Sequence, residues 1–179
     1  ATKVWTPLGA YGPVQMRRPL SLWKLPRVDL MQVHNLLSWR SHLPTLREWK
    51  AQGLARHIGF TTSHGRDHDL VRRILNTEPG LDFMQITYSP ADRSAEPLLE
   101  LAARKGVAVI INRPFDGGGL LSRLQRVPLP PQAAELGCAH WATLVLKWEL
   151  ARPAVTVAIP ATTNPEHAVQ NLAAMRGML

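Results

Sequence analysis

Residues 28–61, VDLMQVHNLLSWRSHLPTLREWKAQGLARHIGFT, decide how the chain is read. They open on an apolar, β-rich run from Val28 to His34, VDLMQVH, and close on a second from Arg56 to Thr61, RHIGFT. Between them, Pro44 to Gln52 carries apolar residues at helical spacing. Strand, helix and strand in succession argue for parallel pairing, with the helix laid over one face of the sheet.

The same alternation extends outward on both sides. Strand-like runs recur at Lys3 to Trp5, Leu81 to Tyr88, Val107 to Ile111 and Val155 to Ile159, making six candidate strands in all. Helical spacing recurs at Asp69 to Leu75, Ala95 to Lys105, Ala133 to Ala151 and Pro165 to Met175. Start signals support two of these helices: Ser94 ahead of Glu96-Pro97, and Asn164 ahead of Pro165-Glu166. A helix is also expected between Gly9 and Arg27. Pro13, Pro19 and Pro26 interrupt that segment, and an interior proline costs about 3 kcal/mol, so this helix is expected to be short or broken. No low-complexity linker divides the chain, which reads as one domain over residues 1–179 with a Pro-rich loop, VPLPPQ, at Val127 to Gln132.

Composition narrows the function. The formal charge is +8 with a pI near 10.6, yet the 21 Lys and Arg are scattered, and the usual cluster is a pair such as Arg17-Arg18 or Arg72-Arg73. That dispersion argues against nucleic acid and leaves a phosphate-bearing small molecule compatible. Cys138 is the single cysteine, so no intrachain disulfide forms; it lies in an apolar helical stretch and reads as packing. There is no 18-residue apolar run and no signal-type segment, so no membrane partner and a cytoplasmic location are expected, with a removed upstream signal left open. A complete eight-stranded α/β barrel needs roughly 200 to 250 residues, more than the 179 here.

In parallel α/β structures the functional groups gather at the carboxyl ends of the strands. Those ends hold His34-Asn35, Thr61-Thr62, Gln85 to Ser89, Asn112 to Phe115 and Pro160 to Thr163, with a triple glycine at Gly117 to Gly119. In SHGRDHD, His64 and His68 are four apart beside Asp67 and Asp69, but no third ligand is specified and Gly65 opposes a helix, so no metal is expected. Trp49, Trp141 and Trp148 fall within helical patterns and read as packing.

VDLMQVHN, GLARHIGFTTSH, DFMQITYSP, VAVIINRPF and VAIPATTNPEHAVQNLAA together resemble the fourth to eighth strands and final helices of an aldo/keto reductase. The resemblance covers nearly the whole chain. It implies a partial (β/α)₈ TIM barrel with about six parallel strands and helices outside, binding NADP, with NAD as the alternative, at the carboxyl rim. In that family a TKVW-like third strand supplies the catalytic lysine and the fourth strand ends in the catalytic histidine, roles that fall on Lys3 in ATKVW and on His34. The catalytic aspartate and tyrosine would come from a strand before Ala1, so the first two β/α units are absent from these residues. A neighbouring lysine lowers the pKa of such a tyrosine as it donates its proton. Neither tyrosine of this chain, Tyr11 or Tyr88, has a spacing that ties it to that role.

The cofactor roles carry over in the same way. Gln85, aided by Thr62, would bond the nicotinamide carboxamide. Asn112 stands where many members stack an aromatic ring on nicotinamide. Phe115, Gly117 and the glycines after it would lie along the pyrophosphate, and Thr162, Asn164, His167, Gln170 and Asn171 would surround the adenosine and its 2′-phosphate. Ala161 and His167 occupy positions that often hold lysine and arginine, which weakens the preference for NADPH over NADH.

The leading expectation is therefore reduction of a small aldehyde or ketone, with the apolar Leu36, Trp39 and Phe115 near the substrate. One alternative is a truncated barrel repurposed as an ester or lactone hydrolase, with His34 as base and Asp116 or Lys3 assisting, although no G-x-S-x-G elbow is present. Another is a non-catalytic dinucleotide-binding remnant. Six strands without the closing two would leave the first and last as open edges, and a homo-oligomer is expected if the chain is truly this short.

Overall fold

The computed structural model describes residues 1–177. Its six strands are β1 (Thr2–Val4), β2 (Val28–Val33), β3 (Ala55–Thr61), β4 (Phe83–Thr87), β5 (Ala108–Asn112) and β6 (Val157–Ala158). Its helices are α1 (Gly12–Trp23), α2 (Trp39–Ala51), α3 (His68–Thr77), α4 (Glu96–Arg104), α5 (Gly119–Leu124), α6 (Gln132–Glu135), α7 (Trp141–Leu150) and α8 (Pro165–Ala173). The sheet runs in chain order from β1 to β6 and every pairing is parallel, as the alternation predicts.

The register sorts the side chains into two faces, because successive residues of a strand point to opposite sides. Val4 pairs with Val33, Val33 with Phe60, Phe60 with Met84, Met84 with Val109, and Ile86 with Ile111. All of these are 0–1 % exposed and form the core with Met16 of α1, Leu43, Leu46 and Trp49 of α2, Ile74 of α3, and Leu98 and Ala102 of α4. Burying each such side chain contributes about 1.5–3 kcal/mol. The core is thus the layer between sheet and helices. Gly59 lies on the other, open face, where a Cβ would stand 2.1 Å from the Phe83 carbonyl oxygen, so only glycine permits this approach of β3 to β4.

Several elements differ from the sequence expectation. The helix between Gly9 and Arg27 is a continuous twelve-residue α1, neither short nor broken. Pro13 sits in its first turn, where no N–H is needed, and Pro19 forfeits a single bond in a helix held by buried Met16. Helix α2 starts at Trp39, five residues before Pro44, because Trp39, Leu43, Leu46 and Trp49 make one buried stripe. The single helix expected from Ala133 to Ala151 is instead α6 and α7, parted at Gly137, whose φ of 66° a right-handed helix does not accept. Cys138 lies in that break, buried but not helical.

The two ends of the sheet, β1 and β6, are not paired with each other. Among the described residues, every strongly exposed large apolar side chain except Val127 belongs to the end segments, from Trp5 to Leu25 on one side and from Val157 to Met175 on the other. Polar side chains interrupt the buried helix layer at His42, Thr143, Lys147 and Glu149. Glu149 of α7 is fully buried, neither carboxylate oxygen has a partner among the described residues, and burial pushes its pKa up to about 9. Among the described residues no helix is long and apolar enough to cross a membrane.

Candidate functional site

The open face carries the polar residues. Register places Lys3 beside Gln32, Gln32 beside Gly59, Thr61 beside Gln85, Gln85 beside Ile110 and Thr87 beside Asn112. His34 follows β2 two residues beyond Gln32 and therefore continues the same side. Lys3, His34, Thr61, Gln85 and Asn112 come from five adjacent strands and line one side of the sheet towards its carboxyl end.

His34 is half-buried and held on two sides. Its Nδ1 is 3.0 Å from Thr61 Oγ1, and the Trp5 ring meets it edge-on with centroids 5.5 Å apart and planes at 88°. Burial, and secondarily the positive charge of Lys3, hold its pKa below the ordinary imidazole value, so the ring is neutral at neutral pH. The segment after β1 is tied down as well. The Trp5 N–H donates to Gln15 Oε1 at 2.6 Å, Gln15 Nε2 donates to the Trp5 carbonyl at 3.1 Å, and buried His42 bonds the Thr6 carbonyl through Nε2 at 2.8 Å.

The middle strands are crosslinked by Asn112. Its Nδ2 donates to the Thr62 carbonyl at 2.7 Å, and its Oδ1 accepts from the Thr87 hydroxyl at 2.6 Å. That hydroxyl in turn accepts from the His64 N–H at 2.9 Å. Asn112 therefore spans the ends of β3, β4 and β5. Gln85, by contrast, is buried with no side-chain hydrogen bond among the described residues, leaving its amide for a bound group. Neither tyrosine joins this face. Tyr88 is fully buried, stacks on Trp148 at 5.4 Å, and donates to Glu96 at 2.9 Å; burial and that bond push its pKa up to about 12. Tyr11 is about half exposed in the turn before α1.

Beside this rim lies a cleft of about 580 Å³, walled by the loop after β5, by α7 and by α8. Arg113, Phe115, Gly117, Thr162, His167, Gln170 and Asn171 line it. Gly117 has φ 64°, and a Cβ there would stand 2.7 Å from the Arg113 guanidinium, so the glycine lets that cation lie against the turn. Arg113 has no ion pair among the described residues, and Asn171 Oδ1 is buried without a partner. Asn164 is engaged otherwise: its Oδ1 caps α8 by accepting from the Glu166 N–H at 2.9 Å. Within the cleft, the Arg113 guanidinium and the unpartnered Asn171 amide oxygen offer a cation and a hydrogen-bond acceptor to a bound polar group.

Of the residues singled out from sequence, Lys3, His34, Thr62, Gln85 and Asn112 fall on or beside the strand rim. Phe115, Gly117, Thr162, His167, Gln170 and Asn171 line the cleft, and Asn164 supports it as a cap. Sequence reasoning placed Thr61 and Arg113 at strand ends without giving them a role and passed over Trp5. The doubled Thr61-Thr62 at a strand end was the one available signal for the first. Asp116 is ion-paired with Arg123 at 3.5 Å. In SHGRDHD, His64 and Asp67 take left-handed backbone conformations and α3 begins only at His68, so the two imidazoles do not share a helix. Among the described residues no group of three or more His, Cys, Asp or Glu is placed to hold a metal.

Residues 14–178 match the model of the aldo/keto reductase family. Pyridoxine 4-dehydrogenase of Escherichia coli (strain K12) is 29 % identical over 137 residues, which is 76 % of this chain and 45 % of that protein. An uncharacterized oxidoreductase of Schizosaccharomyces pombe is 23 % identical over 95 % of this chain and 55 % of its own length. The chain thus spans about half the length of the curated relatives it matches. Among solved structures, an aldo-keto reductase of Bacillus halodurans in its holo form superposes with a TM-score of 0.76 at 24 % identity, over 99 % of this chain and 66 % of that one. A variant of Gox0644 in complex with NADPH gives 0.77 at 22 % identity, over 99 % and 65 %.

Proposed function

The chain belongs to the aldo/keto reductase family, and from that premise we propose that it forms the third to eighth β/α units of an NADPH-dependent reductase of small aldehydes or ketones. The observation that carries this reading is the placement of Lys3 on β1 and of His34 just beyond the neighbouring β2, on one face, with burial and secondarily the lysine charge lowering the imidazole pKa. A neutral imidazole beside a cation can donate a hydrogen bond to a carbonyl oxygen as negative charge develops there, without itself being the acid that protonates it. In the family that proton comes from a tyrosine tuned by the lysine, and its unit would adjoin β1. The open edge at β1, the open edge at β6 and the exposed apolar side chains beside both support two further units between them, on the same polypeptide or on a partner.

The cofactor supplies hydride from its nicotinamide ring when bound. In this reading Gln85, buried with no side-chain hydrogen bond among the described residues, would hold the carboxamide, and the lining of the cleft from Arg113 to Gly117 would take the pyrophosphate. Thr162, His167, Gln170 and Asn171 suit the adenosine end. Asn112 acts in this reading by fixing the ends of β3, β4 and β5. With Ala161 and an exposed His167 at the phosphate end, NADH is expected to compete with NADPH. Titration of the protein with each reduced dinucleotide, followed by nicotinamide fluorescence, tests the cofactor reading; absence of binding by both refutes it. Loss of carbonyl reduction in His34→Ala with dinucleotide affinity retained is the expected second result.

A further inference from the structure

We infer that Thr61 is a positioning residue that fixes His34 in one tautomer, with Nδ1 as acceptor and the proton on Nε2. Thr61 is fully buried, and its hydroxyl has two partners among the described residues: the Asn35 N–H at 3.0 Å and His34 Nδ1 at 3.0 Å. The backbone N–H can only donate, so it occupies a lone pair of Oγ1. The hydroxyl proton then has one acceptor within reach, the Nδ1 lone pair. If Nδ1 instead carried the proton, Oγ1 would accept twice and its own proton would be buried without a partner, which is unfavourable. Hydrogen-bond accounting therefore selects the Nε2–H form.

The arrangement is built by neighbouring strands. Thr61 ends β3, and the turn after β2 brings His34 and the Asn35 N–H onto its hydroxyl, with Asn35 itself at φ 49°. The Trp5 ring meets the imidazole edge-on. Thr61 thus decides which nitrogen of His34 faces outward as a donor. Identifying the oxygen it meets as a substrate carbonyl rests on the reductase reading; the tautomer does not.

The test is ¹⁵N–¹H NMR of the histidine side chains in the whole protein above the His34 titration, with His34 assigned from the spectrum of His34→Gln. A protonated Nε2 and an unprotonated, hydrogen-bonded Nδ1 are expected in the wild type and in Thr61→Ser. In Thr61→Val the two ring-nitrogen shifts are expected to move towards each other as the tautomers mix. A protonated Nδ1 in the wild type overturns the assignment, whether or not the valine variant folds. An unchanged His34 spectrum in Thr61→Val overturns the role of Thr61. A fixed Nε2–H tautomer in a protein that binds no dinucleotide supports the role of Thr61 and counts against the reductase reading alone.

Discussion

The two faces of the sheet obey different rules although the same strands supply both. On the helix-covered face, Val33, Phe60, Met84 and Ile111 are interchangeable in kind: each is apolar, buried and held by shape. On the open face, His34, Thr61, Gln85, Thr87 and Asn112 are each tied to particular atoms, or left with particular atoms unused. One face carries stability that is spread over many contacts; the other carries a few polar groups whose value depends on geometry. A period of two lets one strand serve both ends without compromise.

Substitutions can sharpen or break this division. The largest effect is expected at His34→Ala, where carbonyl turnover should fall about 10²–10⁴-fold while the unfolding midpoint stays near that of the wild type. A comparable loss of stability would mean that the open face also holds the fold together. Next comes Ile58→Ala on the covered face, expected to cost about 2–5 kcal/mol in chemical denaturation while dinucleotide affinity of the folded protein is kept. Asn112→Ala tests the mixed case: the Thr62 carbonyl and Thr87 hydroxyl lose their partner, so a cost of about 1–3 kcal/mol is expected together with weaker dinucleotide binding. Binding lost at unchanged stability would instead make Asn112 a direct ligand.

The smallest change per step concerns Glu149, the carboxyl group buried among the helices. Its folded-state pKa is raised from 4.5 to about 9, so the folded protein holds this proton more tightly than the unfolded chain does. The associated stability is present below the ordinary glutamate range and is lost as pH rises towards 9, at no more than about 1.4 kcal/mol per pH unit. Glu149→Gln is expected to flatten that slope in unfolding curves measured at several pH values. An unaltered slope would mean that the carboxylate is solvated when charged.

The covered face was legible in the sequence because strands and helices announce themselves by period, and buried positions must be apolar whatever their partners. Ala133 to Ala151 misled for the same reason: apolar spacing continues through Gly137, and only the backbone turn shows the break. Proline interruptions misled in the opposite direction at Pro19 and Pro44, where the buried stripes of α1 and α2 outweigh one missing bond each. For the site, the strand ends were readable as places, and His34 and Gln85 as residues. The pairing of Thr61 with His34 was not, since it spans 27 residues and depends on where a turn aims a backbone N–H. Nor does sequence tell that both ends of the Asn112 amide are already engaged.

Strand β1 has three residues and, among the described residues, a single neighbouring strand, and it carries Lys3. Amide protons of such an edge exchange with solvent through local opening, at a lower free energy than those of the central strands. Each opening would carry the ammonium group away from His34 and release part of the downward pull on the imidazole pKa. Proton uptake by His34 and fraying of β1 are therefore thermodynamically linked. Acid should speed hydrogen exchange at Thr2 to Val4 beyond its intrinsic pH dependence, and a ligand that pins the lysine should slow it.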